Sequence, residues 1–160
     1  MAGKLTSEQL ESFLDETCDS LRGDRDTIAF KEYVIAILFL KRLNDRFNLE
    51  REVRRQKLSS QGVSPDQIDN DLERREVYRL FVPKIARWEK VKQQKEDLSA
   101  YLMKSFAEIE GMNRGCLGVL TTIDFQKTAL NGDPFITDHE LIELIKRFEV
   151  LTLSDDNLAF

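Results

Sequence analysis

Small or apolar residues recur at Leu10, Phe13, Leu14, Thr17, Cys18 and Leu21, the spacing of one face of a helix. Thr6 and Gln9 stand where a capping box would start that helix, and Gly23 stands where it would stop. Cys18 falls on the apolar stripe and reads as a small buried thiol. A second element begins at Asp26 or Thr27, and neither Gly nor Pro interrupts the chain from Asp24 to Gln61. Its first half carries eight apolar residues in a row, Tyr33 to Leu40. Such a run fits a buried strand or a buried helix equally well. The unbroken length, the continuation Leu43–Phe47 at i, i+4, and the helix formers around them select helix. A helix apolar on every side is expected to be buried on every side, so this half reads as the central core helix. Its second half is charged and is expected to emerge from the core.

Gly62 breaks the pattern, and Ser64 followed by Pro65 is a helix start. Residues before Pro83 avoid the α region, so Val77–Val82 is expected to be extended. Leu98, Tyr101, Leu102, Phe106 and Ile109 mark another amphipathic helix, closed by Gly111 and Asn113. Asn131-Gly132 is a turn signal. Thr137 and Glu140 form a second capping box before Leu141, Leu144, Ile145 and Phe148, with Glu143 and Arg147 placed as an i, i+4 pair. Ile85 and Trp88 at i, i+3 place Trp88 in the core. The expected fold is mostly α: one domain over residues 1–160, a bundle of about five to seven helices around one central buried helix, with at most a short β hairpin.

Composition narrows the classes. The chain has 160 residues, 41% of them hydrophobic, enough for one folded core. Its longest apolar run is far short of the ~18 residues of a bilayer span, and the N-terminus has no signal-peptide pattern. Two cysteines without a CxxC and one histidine, His139, argue against a disulfide scaffold or a zinc site. These features suggest a cytosolic protein. The net charge of −5 disfavours nucleic acid, but its distribution does not. Between Lys41 and Lys95 there are fifteen Lys/Arg against nine Asp/Glu, and the remainder is strongly acidic. A basic middle fits a surface facing a polyanion or a long helix with a solvated charged face, and charge alone leaves both open. No G-x-G turn, P-loop or Pro-Pro motif is present, and nothing suggests a pair of catalytic carboxylates.

Five strings then occur in order: "LRGDRDTIAFKEYVIAILFLKRLNDRF", "FVPKIARWEKV", "FAEIEGMN", "LGVLTTIDF" and "LIELIKRFEVLTLSDDNLAF". Together they resemble the N-terminal helical domain of type I restriction–modification DNA methyltransferase (modification) subunits, over nearly the whole chain. The resemblance implies a parent enzyme that methylates adenine N6 with S-adenosylmethionine. It implies assembly with a DNA-reading specificity subunit and with a restriction subunit. The catalytic domain in such proteins follows the helical one and carries a glycine turn and an Asn-Pro-Pro-aromatic motif. Neither is present, so this chain is expected to be inactive by itself, to hold no cofactor and to carry no catalytic residue, with the catalytic domain expected after residue 160. The implied setting is the cytoplasm of a bacterium or archaeon.

Flipping an adenine out of the stack costs a few kcal/mol, which backbone contacts from a helical domain could offset without reading sequence. Double-stranded DNA is therefore an expected partner, beside the specificity and restriction subunits and the chain's own catalytic domain. Lys41, Arg42, Arg46, Arg51, Arg54 and Arg55 are candidates for phosphate contact, with Arg74, Arg75 and Arg79 as a second group. Helical spacing prevents all of them from sharing one face. The other open reading is a protein-interaction module without direct DNA contact.

Overall fold

The computed structural model describes residues 5–114 and 122–154. Cys116, most of "LGVLTTIDF" and the final "DDNLAF" lie outside the described residues. Six α-helices follow in order: α1 (Ser7–Arg22), α2 (Thr27–Ser60), α3 (Pro65–Asp71), the single turn α4 (Trp88–Val91), α5 (Leu98–Met112) and α6 (Asp138–Glu149). Two 3-10 turns, Arg75–Val77 and Lys84–Ala86, punctuate the stretch between α3 and α4. Among the described residues there is no sheet, only one antiparallel bridge between Thr128 and Pro134 around the Asn131-Gly132 turn, where Gly132 takes φ 85°.

Local signals account for the helix ends. Thr6 and Gln9 close a capping box on α1, and Thr137 and Glu140 close one on α6. Asp26 caps α2 by accepting from the Ala29 N–H at 2.8 Å. α2 runs unbroken for 34 residues and ends where Gly62 adopts φ 80°. α5 is capped from outside itself. Asp97 sits in a left-handed conformation, and the Asp138 carboxylate at the start of α6 accepts from the Asp97 and Leu98 N–H groups, both at 3.1 Å. One carboxylate thus sits at the positive ends of two helices. Gly111 lies inside the last turn of α5 rather than ending it, and Asn113 supplies the C-cap.

α2 is the axis of the domain. Phe30, Val34, Ile37, Leu40 and Phe47 are fully buried along it. α1 and α6 pack on it together, with Phe13 of α1 and Phe148 of α6 at a ring separation of 5.8 Å. Tyr33 packs at a tilt against Phe125 and Phe135, and its hydroxyl donates to the Asp124 carbonyl at 2.7 Å. Tyr78 and Phe81 surround Phe47, and Val82 and Pro83 are buried in the extended segment before the second 3-10 turn. Trp88 is buried as expected, and its indole N–H donates to Glu149.

Besides Gly111, and Val77, which falls in the first 3-10 turn rather than in an extended run, two expectations change. The apolar run is not closed on all sides: Ile35 is 47% exposed and Phe39 is only half-buried. Burial of α2 comes from α1, α6 and the 78–91 segment, which leave one strip uncovered. Glu143 does not reach Arg147; it pairs with Lys146 at 3.8 Å.

Candidate interaction surface

The distal half of α2 does not stand free. After Gly62 the chain folds back through α3, and three arginines meet three acids in reverse order. Arg51 pairs with Glu73 at 3.0 Å, Arg54 with Asp71, and Arg55 with Asp69 at 3.3 Å. Arg74 adds a contact to Asp71 at 3.2 Å. Arg87 grips the other side of Glu73 at 2.7 Å and lies over the Phe47 ring. The hydrogen bond from Arg87, helped by that from Arg51, lowers the Glu73 pKa to about 2 from an ordinary 4.5. The hydrogen bond from Arg54 likewise holds Asp71 below its usual value. Exposed pairs of this kind contribute at most about 1 kcal/mol each. Their effect is therefore mainly to fix the register of the hairpin, whose apolar anchors are Ile68 and Leu72.

The proximal cations hold a different segment. Lys41 is buried, with 6% exposure, between Asp45 at 2.6 Å and the Leu151 carbonyl at 2.8 Å. Arg42 donates to the Leu153 carbonyl at 2.6 Å, and Arg46 to the Ser154 carbonyl at 2.8 Å. Asp45 in turn accepts from the Leu153 N–H at 2.8 Å. Residues 151–154 are thus strapped along α2. Arg75 is held by the Met112 and Tyr78 carbonyls. Of the nine cations singled out in the sequence, eight are engaged inside the domain. Arg79 alone of the nine is exposed without an acidic partner among the described residues, and Lys57, outside that set, shares this state.

The nine are not gathered into one patch. Arg51, Arg54, Arg55 and Arg74 line the α2–α3 hairpin, whereas Arg42, Arg46 and Arg79 meet across a cleft of about 280 Å³ with Phe39, Phe47 and Leu80. His139 is exposed, and burial pushes the Cys18 thiol up, away from reactivity. Among the described residues no group of His, Cys, Asp and Glu is arranged to hold a metal, and no helix is long and apolar enough to cross a membrane.

Sequence reasoning missed Arg25, which joins three elements: it binds Glu140 and donates to the Phe135 carbonyl at 2.9 Å and to the Leu21 carbonyl. Burial opposes ionisation of Glu140, but the hydrogen bonds from Arg25 and Thr137 outweigh it and keep its carboxyl below the ordinary value. Arg87 and the exposed row of apolar side chains on α2 were also missed. The ion-pair ladder did leave a signal. Arg51, Arg54 and Arg55 mirror Glu73, Asp71 and Asp69 about the break at Gly62.

A bundle built on one long axial helix, with no sheet among the described residues, belongs to the class of single helical domains. The particular family follows from a match to the HsdM N-terminal domain over residues 10–148, and the chain belongs to that family, the N-terminal domain of type I restriction–modification methyltransferase M subunits. No curated protein sequence matches the chain.

Proposed function

We propose that this domain serves its modification subunit as a docking and positioning module rather than as the main grip on DNA. The observation that carries this reading is the fate of the cations. Eight of nine are already held by carboxylates or carbonyls, while a row of apolar side chains along α2 is left open. A phosphate binding at Arg51 or Arg54 would have to displace a carboxylate of the same charge, so little net attraction remains. The parent protein, on this reading, is an adenine-N6 methyltransferase whose catalytic domain uses S-adenosylmethionine. It works with a specificity subunit that reads the DNA and a restriction subunit, in the cytoplasm. The central cleft is lined by Arg42, Arg46 and Arg79, which repel a sulfonium cation, and this supports a cofactor site in the catalytic domain rather than here.

A second reading is direct contact with the DNA backbone. It is favoured by Arg79 and Lys57, which line one cleft without acidic partners among the described residues. The two readings separate by salt dependence. Two phosphate contacts give a slope of log K against log salt near −1.8, from about −0.9 per phosphate. Titrating a short duplex at several salt concentrations is expected to show no steeper slope. Arg51→Gln, Arg54→Gln and Arg55→Gln are expected to leave it unchanged. A slope of about −4 or steeper that collapses in those three variants would return the domain to the DNA-gripping reading.

A further inference from the structure

We propose that the open face of α2 seats an amphipathic helix of a partner protein, apolar toward both ends and acidic in its middle; this deepens the docking reading above. Ile28, Ile35, Leu49 and Val53 are 75%, 47%, 46% and 62% exposed. With Phe39, Arg42 and Arg46 they recur at steps of seven, then four and three in alternation. That is the seam of a helix that packs on another helix at a 3.5-residue period. An exposed apolar row of this length marks an interaction site on a soluble domain.

The surface beside the seam is concave along its length. A cleft of about 250 Å³ between α1 and α2 is lined by Leu10, Leu14, Ile35 and Phe39. Phe39 also lines the 280 Å³ cleft with Arg42, Arg46 and Arg79. Arg79 and Glu50 continue into a third, of about 430 Å³, with Leu49, Val53 and Val77. Neighbouring clefts share Phe39, or Glu50 with Arg79, so the three adjoin along one side of α2 as a segmented groove. From Ile35 to Val53 it spans about 27 Å at 1.5 Å per residue.

Along the seam itself the ends, Ile35 at one and Leu49 and Val53 at the other, are apolar and the middle, Arg42 and Arg46, is cationic; beside the far end Arg54, Lys57 and Arg79 line the cleft, with Glu50 the carboxylate shared by the two cationic clefts. Arg79 and Lys57 supply charge that no acid in the described residues meets. A second copy is a poor occupant. Pairing α2 with itself in parallel sets Arg42 and Arg46 against their own equivalents. Antiparallel pairing about the centre of the seam still places the two Arg42 side chains within a turn of each other. Like charges in such a contact repel. A partner helix with acids at its centre and apolar residues at its ends satisfies both the shape and the charge.

The test uses the whole chain and two synthetic helices of about 24 residues, with leucine seams in the outer heptads and either Glu or Lys at the central seam positions. The Glu-centred peptide is expected to bind at least about tenfold more tightly than the Lys-centred one, by fluorescence anisotropy. Ile35→Glu and Val53→Glu should each weaken it at least about tenfold, and Arg79→Glu should invert the preference. All three positions lie on the surface, so circular dichroism is expected to show folded variants. Absence of binding at about 1 mM peptide, or binding indifferent to Ile35→Glu and Val53→Glu, overturns the proposal. So does self-association lost on Ile35→Glu, which assigns the face to a second copy. Tighter peptide binding on Asp155→Lys with Asp156→Lys overturns it in favour of the chain's own acidic end. Duplex binding lost on Arg79→Glu but kept in Val53→Glu assigns the groove to nucleic acid. Failure of the peptide together with a shallow salt slope removes only this inference; failure with a steep slope removes the docking reading as well.

Discussion

Replacing Asn44 by leucine is expected to destabilise the domain by about 2–4 kcal/mol and to lower its thermal midpoint by about 5–15 °C. Asn44 is almost completely buried in the middle of α2. Its side-chain carbonyl accepts from the Trp88 N–H at 2.7 Å, and its amide donates to the Ala86 carbonyl at 3.1 Å and the Leu40 carbonyl at 2.9 Å. The 83–88 segment has little regular structure to satisfy its own backbone, so α2 satisfies it through this one side chain. Leucine branches at the same carbon and is somewhat larger, and it leaves the Trp88 N–H and Ala86 carbonyl unpaired in a dry environment. Each such orphan costs about 1–3 kcal/mol. Calorimetry on Asn44→Leu beside Arg74→Ala, a half-exposed member of the ladder expected to cost less than about 0.5 kcal/mol, checks the contrast. A loss below about 1 kcal/mol for Asn44→Leu would mean that the segment finds other partners, and the bridging role would be wrong.

The second large effect is on acid stability, and it runs through Glu73. Its pKa is about 2 in the folded domain, against an ordinary 4.5, chiefly because of the hydrogen bond from Arg87 and then that from Arg51. A carboxylate whose folded pKa is depressed stabilises the fold above the unfolded pKa and loses that contribution as pH falls through the folded one. The window is therefore from about pH 4.5 down to about 2. At 1.36 kcal/mol per unit the shift corresponds to about 3 kcal/mol. Glu73 is 33% exposed, and solvent screening reduces the expected effect to about 1–2 kcal/mol. Urea unfolding across that pH range should show a smaller decline for Glu73→Gln than for the natural chain. Asp71 and Glu140 are depressed as well, so both proteins lose stability in acid and the difference between them isolates Glu73. Parallel declines would place the stabilising charge elsewhere.

Much of the fold was legible because the instructions are local. Capping boxes at Thr6 and Thr137, Pro65 after Ser64, and the uninterrupted run to Gln61 each specify a helix end or a helix length within a few residues. What could not be read was which side of an all-apolar segment stays open. Periodicity cannot select Ile35 over Ile37, because both are isoleucine and only the arrival of α1, α6 and the 78–91 segment decides which is covered. The internal partners of the cations were hidden for a related reason. Charge counting along Lys41–Lys95 sums basic residues without asking which acids fold back onto them, and the acids of α3 and Glu73 arrive only through a hairpin. Asn44 and Asn113 look like ordinary polar residues in sequence. Asn113 in fact exchanges two hydrogen bonds with the Phe81 backbone, both at 2.8 Å. Their roles depend on irregular segments brought alongside, and no local pattern announces that.

α2 is a single helix with two very different degrees of protection. From Phe30 to Phe47, apart from the uncovered strip at Ile35 and Phe39, it is packed by aromatic and aliphatic side chains, so exchange of its amides is expected to follow the unfolding of the whole domain. From Glu52 to Ser60 it is covered mainly by surface ion pairs and by Ile68 and Leu72. That end can open as a subunit of the fold at a much smaller free energy. A helix gripped from Ile35 to Val53 joins the two parts. Whatever settles there ties the loose half to the firm one, and it slows solvent exchange in amides of the hairpin that the visitor never touches.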